Sequence, residues 1–144
     1  MSIDCIIGKI NLISSVADSY IKKRIKEEKL PILRSHIPLF YILPENGEGM
    51  LFSELKERWQ ISKSSLSDII NRYESHKLIN KCQCSEDKRS IILSLTKEAI
   101  DIKIKLEEIE EEFLDLLLVD FEKEERKNFE DSLNKALNNS KKIL

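Results

Sequence analysis

The 144 residues carry 24 Lys and Arg against 26 Asp and Glu, a net charge of −2, with 41% hydrophobic and 35% charged residues. That length fits one compact domain with helical extensions, and so high a charged fraction points to long solvated helices. No apolar run approaches the roughly 20 residues that span a bilayer, Met1-Ser2-Ile3-Asp4 lacks the basic stretch of a signal peptide, and three cysteines cannot make a disulfide framework, so a cytoplasmic chain with reduced thiols is expected.

Ile3, Ile6, Ile7, Ile10, Ile13, Val16, Tyr20, Ile21 and Ile25 recur at spacings of three and four, which predicts a helix over about 3–29 that Pro31 closes. A second helix is expected with Ser35 as N-cap and Pro38 in its first turn. Its apolar residues, Ile37, Leu39, Phe40, Ile42 and Leu43, are packed so densely that it must be buried on most sides. Residues 44–49 read as a loop.

Two short helical patterns follow. Leu51, Phe52, Leu55 and Trp59 form one face, and Leu66, Ile69, Ile70, Tyr73 and Leu78 form the other. Gln60-Ile61-Ser62 connects them, with Ser62 placed to cap the second helix. Asn80–Gln83 and Ile91–Leu95, joined by Ser85-Glu86-Asp87-Lys88, predict a small hairpin. Thr96 then caps a long helix with apolar positions at Ile102, Leu106, Ile109, Phe113 and Leu117, and Phe129, Leu133 and Leu137 mark a last helix.

Helix, tight turn, helix and hairpin make a winged helix-turn-helix, whose second helix enters the major groove of duplex DNA with its first residues at the base edges. That task needs short polar side chains on one face and an apolar anchor on the other. Lys63, Ser64, Ser67, Asp68 and Asn71 fall on one side, and Leu66, Ile69, Ile70 and Tyr73 on the other. Residues 1–96 carry 15 basic against 12 acidic side chains and residues 97–144 carry 9 against 14, so the positive end coincides with this segment.

Leu55, the Ile61-Ser62-Lys63-Ser64-Ser65 entry, Glu74 before Leu78-Ile79, Asp87-Lys88-Arg89 and Leu95-Thr96 together resemble, in order and spacing, the MarR family of bacterial transcription regulators. The resemblance implies an all-α fold with a small β-hairpin wing and a single domain over 1–144. Within it, 35–96 is the DNA-binding lobe, and the helices of 1–30 and 97–144 form a homodimer. It implies sequence-specific binding of double-stranded DNA, as a ligand-responsive repressor. The DNA-binding set is then Lys63, Ser64, Ser65, Ser67, Asp68, Asn71 and Arg72, with Asp87, Lys88 and Arg89 on the wing and Arg89 at the minor groove. Small aromatic or lipophilic effectors lodge between dimer helices and DNA lobe in this family, and Tyr20, His36, Phe40 and Tyr41 are the candidates here, although all four also suit a core. The chain departs from the family pattern at Asp68, where a basic residue is common, at Lys77, where glycine is common, and at Lys97-Glu98-Ala99, which lacks the usual glycine.

Other chemistry is less well supplied. Cys82 and Cys84 on one strand would lie ~6.5–7 Å apart, a poor geometry for a disulfide, and with His36 and His76 they fall short of a structural zinc site. Cys5 is read as buried in the dimer interface; the alternative is a redox-responsive regulator using Cys5 or Cys82 and Cys84. Glu110-Glu111-Glu112 is a solvated helix face, and no phosphate loop, nucleophile elbow or His–carboxylate pair is present, so neither an enzyme nor a cofactor is expected. A reading from another class is a winged-helix protein-interaction module without DNA binding, which Asp68 and the net charge favour.

Overall fold

The computed structural model of the chain describes residues 4–83 and 90–144. Its elements run α1 (Ile6–Glu27), a 3-10 turn (Arg34–His36), α2 (Ile37–Ile42), β1 (Met50–Leu51), α3 (Phe52–Trp59), α4 (Lys63–Ser75), β2 (Ile79–Gln83), β3 (Ile91–Leu95), α5 (Lys97–Leu117) and α6 (Lys123–Ser140). The chain divides into two compact units, residues 1–110 and 111–144.

In residues 1–110 the periodic apolar positions converge on one core. Leu39, Phe40 and Leu43 come from the α2 segment, Leu55 from α3, Leu66, Ile70 and Tyr73 from α4, Leu93 and Leu95 from β3, and Ala99 and Leu106 from α5. Truncating any of the fully buried leucines to alanine costs ~2–5 kcal/mol, because the cavity left behind closes only in part. Three strands pair antiparallel in the order β1-β3-β2. The hairpin register sets Ile79 opposite Leu95 and Gln83 opposite Ile91, and β1 adds Met50 opposite Leu93. Gly49 lets β1 approach: a Cβ there would collide with Cγ2 of Ile92.

Ser35 is not the cap of α2. It sits inside the 3-10 turn, and the N-cap position of α2 is His36, which makes no side-chain capping bond. The reason is tertiary: the Leu33 amide and the His36 ring both bond the Tyr73 hydroxyl, which tightens this stretch before Pro38 can start a regular helix.

The other helix ends follow local chemistry. Cys5, exposed in the single chain, caps α1, its Sγ accepting from the Gly8 amide at 3.3 Å. Helices α1 and α4 end in the same way. The amide of Leu30 reaches back to the Ile25 carbonyl and that of Leu78 to the Tyr73 carbonyl, with Lys29 (φ 53°) and Lys77 (φ 60°) in the left-handed conformation between. Thr96 closes the second of these ends. Its Oγ1 donates to the Lys77 carbonyl at 2.9 Å and accepts from the Ala99 amide at 3.2 Å, so one hydroxyl caps α5 and holds the end of α4.

Within residues 111–144, Phe121 and Phe129 meet edge to face at 5.9 Å. Arg126 bonds Asp115 at 2.8 Å and Glu111 at 2.7 Å and also reaches Glu130, and these carboxylates hold its guanidinium well above the usual arginine pKa range. Glu122 and Glu125 form a reciprocal capping box at the start of α6. No helix among the described residues is long and apolar enough to cross a membrane.

Candidate nucleic-acid interface

The site is built on α4. Ser62 caps it, accepting from the Ser65 amide at 3.1 Å, and its hydroxyl also meets those of Ser65 at 2.8 Å and Ser64 at 3.3 Å. The first turn is thus a small hydroxyl cluster facing water. Leu66, Ile70 and Tyr73 are buried on the inner face, a spacing of four and three that one helical stripe requires. Lys63, Ser64, Ser65, Asp68, Asn71 and Arg72 are exposed and Ser67 is half-buried. The helix therefore presents hydrogen-bonding side chains outward over its whole length while three large apolar groups fix its position.

Tyr73 fixes it most firmly. Its ring is fully buried and packs edge-on against Phe40 at 5.7 Å and His36 at 5.4 Å. Its hydroxyl accepts from the Leu33 amide at 3.2 Å and bonds His36 Nδ1 at 2.7 Å. The direction of the His36 bond follows the tautomer: a neutral ring protonated at Nε2 takes the hydroxyl proton at Nδ1. Burial lowers the His36 pKa, and the nearby Arg72 charge lowers it further. Burial raises that of Tyr73.

Two hollows flank these elements. A groove of about 410 Å³ runs between α3, α4 and the sheet, where Lys56, Lys63 and Lys81 stand over Phe52, Ile70 and Ile91. A second cavity, about 400 Å³, is lined by Ile21, Arg34, Ile37, Pro38, Tyr41, Ile42, Leu106 and Glu110. Arg34 Nε lies 2.9 Å from Asp18, a charge pair without the angle of a directed hydrogen bond. The Tyr41 hydroxyl donates to Glu110 at 3.5 Å, and Lys103 stands 5.6 Å from its ring centre. The Tyr41 pKa is pushed up to about 12, first by burial and then by the charges of Glu110 and Glu107. Among the described residues no His, Cys, Asp or Glu cluster is placed to hold a metal ion.

No family sequence model matches the chain, and no curated protein matches it. Solved structures do. A structure of MarR superposes with a TM-score of 0.81 at 22% identity, covering 99% of this chain and 96% of that one. A MarR transcriptional regulator from Methanosarcina mazei Go1 gives 0.80 at 23% identity, covering 96% and 98%. A MarR family transcriptional regulator from Listeria monocytogenes, complexed with 26mer DNA, gives 0.74 at 25% identity, covering 95% and 89%. This chain has the MarR-family fold.

In that MarR fold, α3 and α4 form the helix-turn-helix and β2 and β3 the stem of the wing. Asp87, Lys88 and Arg89, expected at the wing tip, lie outside the described residues, as does Cys84. Cys82 is exposed on β2. Of the four residues proposed for an effector cleft, Tyr41 alone lines the apolar cavity, while His36 bonds Tyr73, Phe40 is fully buried in the core and Tyr20 lies on α1. Sequence reasoning did not single out Arg34, Ile21 and Leu106 for that cavity, or Lys56 and Lys81 beside α4. Each comes from a different element, and no spacing within one segment signals a hollow shared by three.

Proposed function

We propose that this chain is a sequence-specific DNA-binding transcription regulator that acts as a homodimer, with α4 as the reading helix and Ser64, Ser67, Asp68 and Asn71 at the base edges. The observation that carries this reading is the division of α4. Its inner face is anchored by Leu66, Ile70 and Tyr73, and its outer face offers only short or flexible polar groups to a major groove. The same fold, at 25% identity, occurs in a protein solved with DNA. Arg72 and Lys63 supply positive charge along the helix, and Arg89 is assigned to the minor groove by its place after Asp87 in the wing sequence.

Exposed isoleucines on α1 and leucines on α6 support the dimer, since apolar stripes of that length are rarely left to water. The cavity beneath Tyr41 suits a small aromatic or lipophilic effector: its walls are aliphatic, with Arg34 and Glu110 offering polar contacts. An effector that binds there and weakens DNA affinity makes the protein a ligand-responsive repressor.

Asp68 and the net charge of −2 favour a second reading, a winged-helix module that binds protein. Salt-dependent affinity for the DNA upstream of the protein's own gene separates the two. A DNA reader loses affinity with a log–log slope of about −0.9 per phosphate contacted, whereas a protein-binding module shows almost none.

A further inference from the structure

The groove between α3, α4 and the sheet gathers three lysines. Lys56 comes from α3, Lys63 from the first turn of α4 and Lys81 from β2, and all three are exposed. None forms an ion pair with a described residue, although exposed carboxylates are plentiful elsewhere and engage Lys22, Arg58 and Lys105. No described residue lining the groove is acidic. Lys63, Ser67 and Asn71 form one stripe of α4 at spacings of four, and Asp68 falls off that stripe, outside the groove. Lys81 also borders a shallower hollow with Glu74, which Lys56 and Lys63 do not. In a chain with net negative charge, three cations with no ion-pair partner among the described residues, set around one concave, partly apolar channel, focus potential for an anion.

We propose that the α3 and sheet side of this groove seats the sugar–phosphate backbone of one DNA strand, with phosphates on Lys56, Lys63 and Lys81 and deoxyribose against Phe52 and Ile91, while Ser67 and Asn71 on its α4 side stay toward the base edges. The assignment rests on the DNA-binding reading above and adds two grips, from α3 and β2, that lie off the reading helix. An amphipathic channel fits a backbone better than a bare inorganic ion, because phosphates alternate with apolar sugar faces along a strand. Held from three elements, the strand fixes the register of α4 in the major groove without itself reading sequence.

The test is fluorescence anisotropy of a random-sequence duplex and of the upstream duplex over a range of NaCl concentrations. It uses the full-length wild type, Lys56→Gln, Lys81→Gln and the double variant. Each single variant should flatten the salt slope by about one unit and the double by about two, with both duplexes weakened by the same factor. Because the lysines are exposed, the circular dichroism melt should stay at the wild-type temperature. A wild type with a steep slope that the double variant retains overturns the groove and leaves α4 as the reader. A wild type that binds neither duplex in a salt-dependent way overturns the groove together with the DNA reading. Titration with inorganic phosphate, followed by lysine side-chain NMR, separates the remaining source. Free phosphate bound by the wild type but not by the double variant, with the DNA slope unchanged, makes the groove a small-anion site and overturns the proposal.

Discussion

The hydroxyl of Tyr73 is sealed from water and committed to Leu33 and His36. In the tautomer whose Nδ1 accepts the hydroxyl proton, a proton added there reverses that bond: the tyrosine must then accept from both neighbours, and its own proton loses His36 as its partner. Burial and the Arg72 charge already hold the His36 pKa below its ordinary value of 6.5, so the folded protein takes up this proton less readily than the unfolded chain. The contribution to stability is therefore complete above that ordinary value and is lost as the pH falls from it toward the lower folded value. Thermal melts should show the midpoint dropping between about pH 7.5 and pH 5.5, over the range where histidine titrates. His36→Gln should remove the part of that drop centred near the histidine range. An unchanged pH profile in the variant would mean that the His36–Tyr73 bond does not govern it. Since Tyr73 is part of α4, the same acid-sensitive contact sits behind the face proposed to read DNA.

At the level of elements, two helices end on a lysine in a conformation that suits glycine. Lys77 holds φ 60° because Leu78 must return to the Tyr73 carbonyl and because Thr96, just past the end of the neighbouring strand β3, clamps the Lys77 carbonyl. An L-residue in this region pays ~1–2 kcal/mol, and glycine gives back ~0.4–1 kcal/mol through the greater entropy of its unfolded chain. Lys77→Gly should raise stability by up to about 1 kcal/mol in urea unfolding, while Lys77→Ala, which keeps the Cβ, should show no such gain. Lys77 was legible in advance as the site of such an end, because glycine is the common residue there in the sequence pattern it otherwise follows. The faces of α4 and the caps at Ser62 and Thr96 were legible too, since each is written within a few residues of contiguous chain. What escaped the sequence is non-local. Met50–Leu51 is too short to show alternation and is a strand only because Leu93 and Ile92 lie beside it. Ser35 loses its capping role to a tyrosine 38 positions away, and Phe40 is fully buried in a core drawn from several elements.

Over the whole molecule, charge and apolar surface are distributed unequally. Ile6, Ile10 and Val16 on α1 are 76%, 60% and 58% exposed, and Leu133 and Leu137 on α6 are 58% and 54% exposed. Burying a side chain of that size contributes ~1.5–3 kcal/mol, so leaving five in water is costly for a lone chain. Sedimentation at micromolar concentration should give a dimer for the wild type and a shift toward monomer for Ile10→Asp, which places a charge in the stripe; a dimer indifferent to that change has its interface elsewhere. The two-residue strand β1 carries a consequence of another kind. Its partner in β3 lies about 40 residues further along the chain, and closing a loop of that length costs roughly 3 kcal/mol of entropy. The two or so backbone hydrogen bonds of so short a pairing return only ~1 kcal/mol each. The hairpin of β2 and β3 spans a far shorter separation and makes five residue pairs. An order of assembly is expected from that difference, the hairpin zipping first and β1 latching onto its edge last; native-state hydrogen exchange should then show the β1 pairing opening before that of β2 with β3.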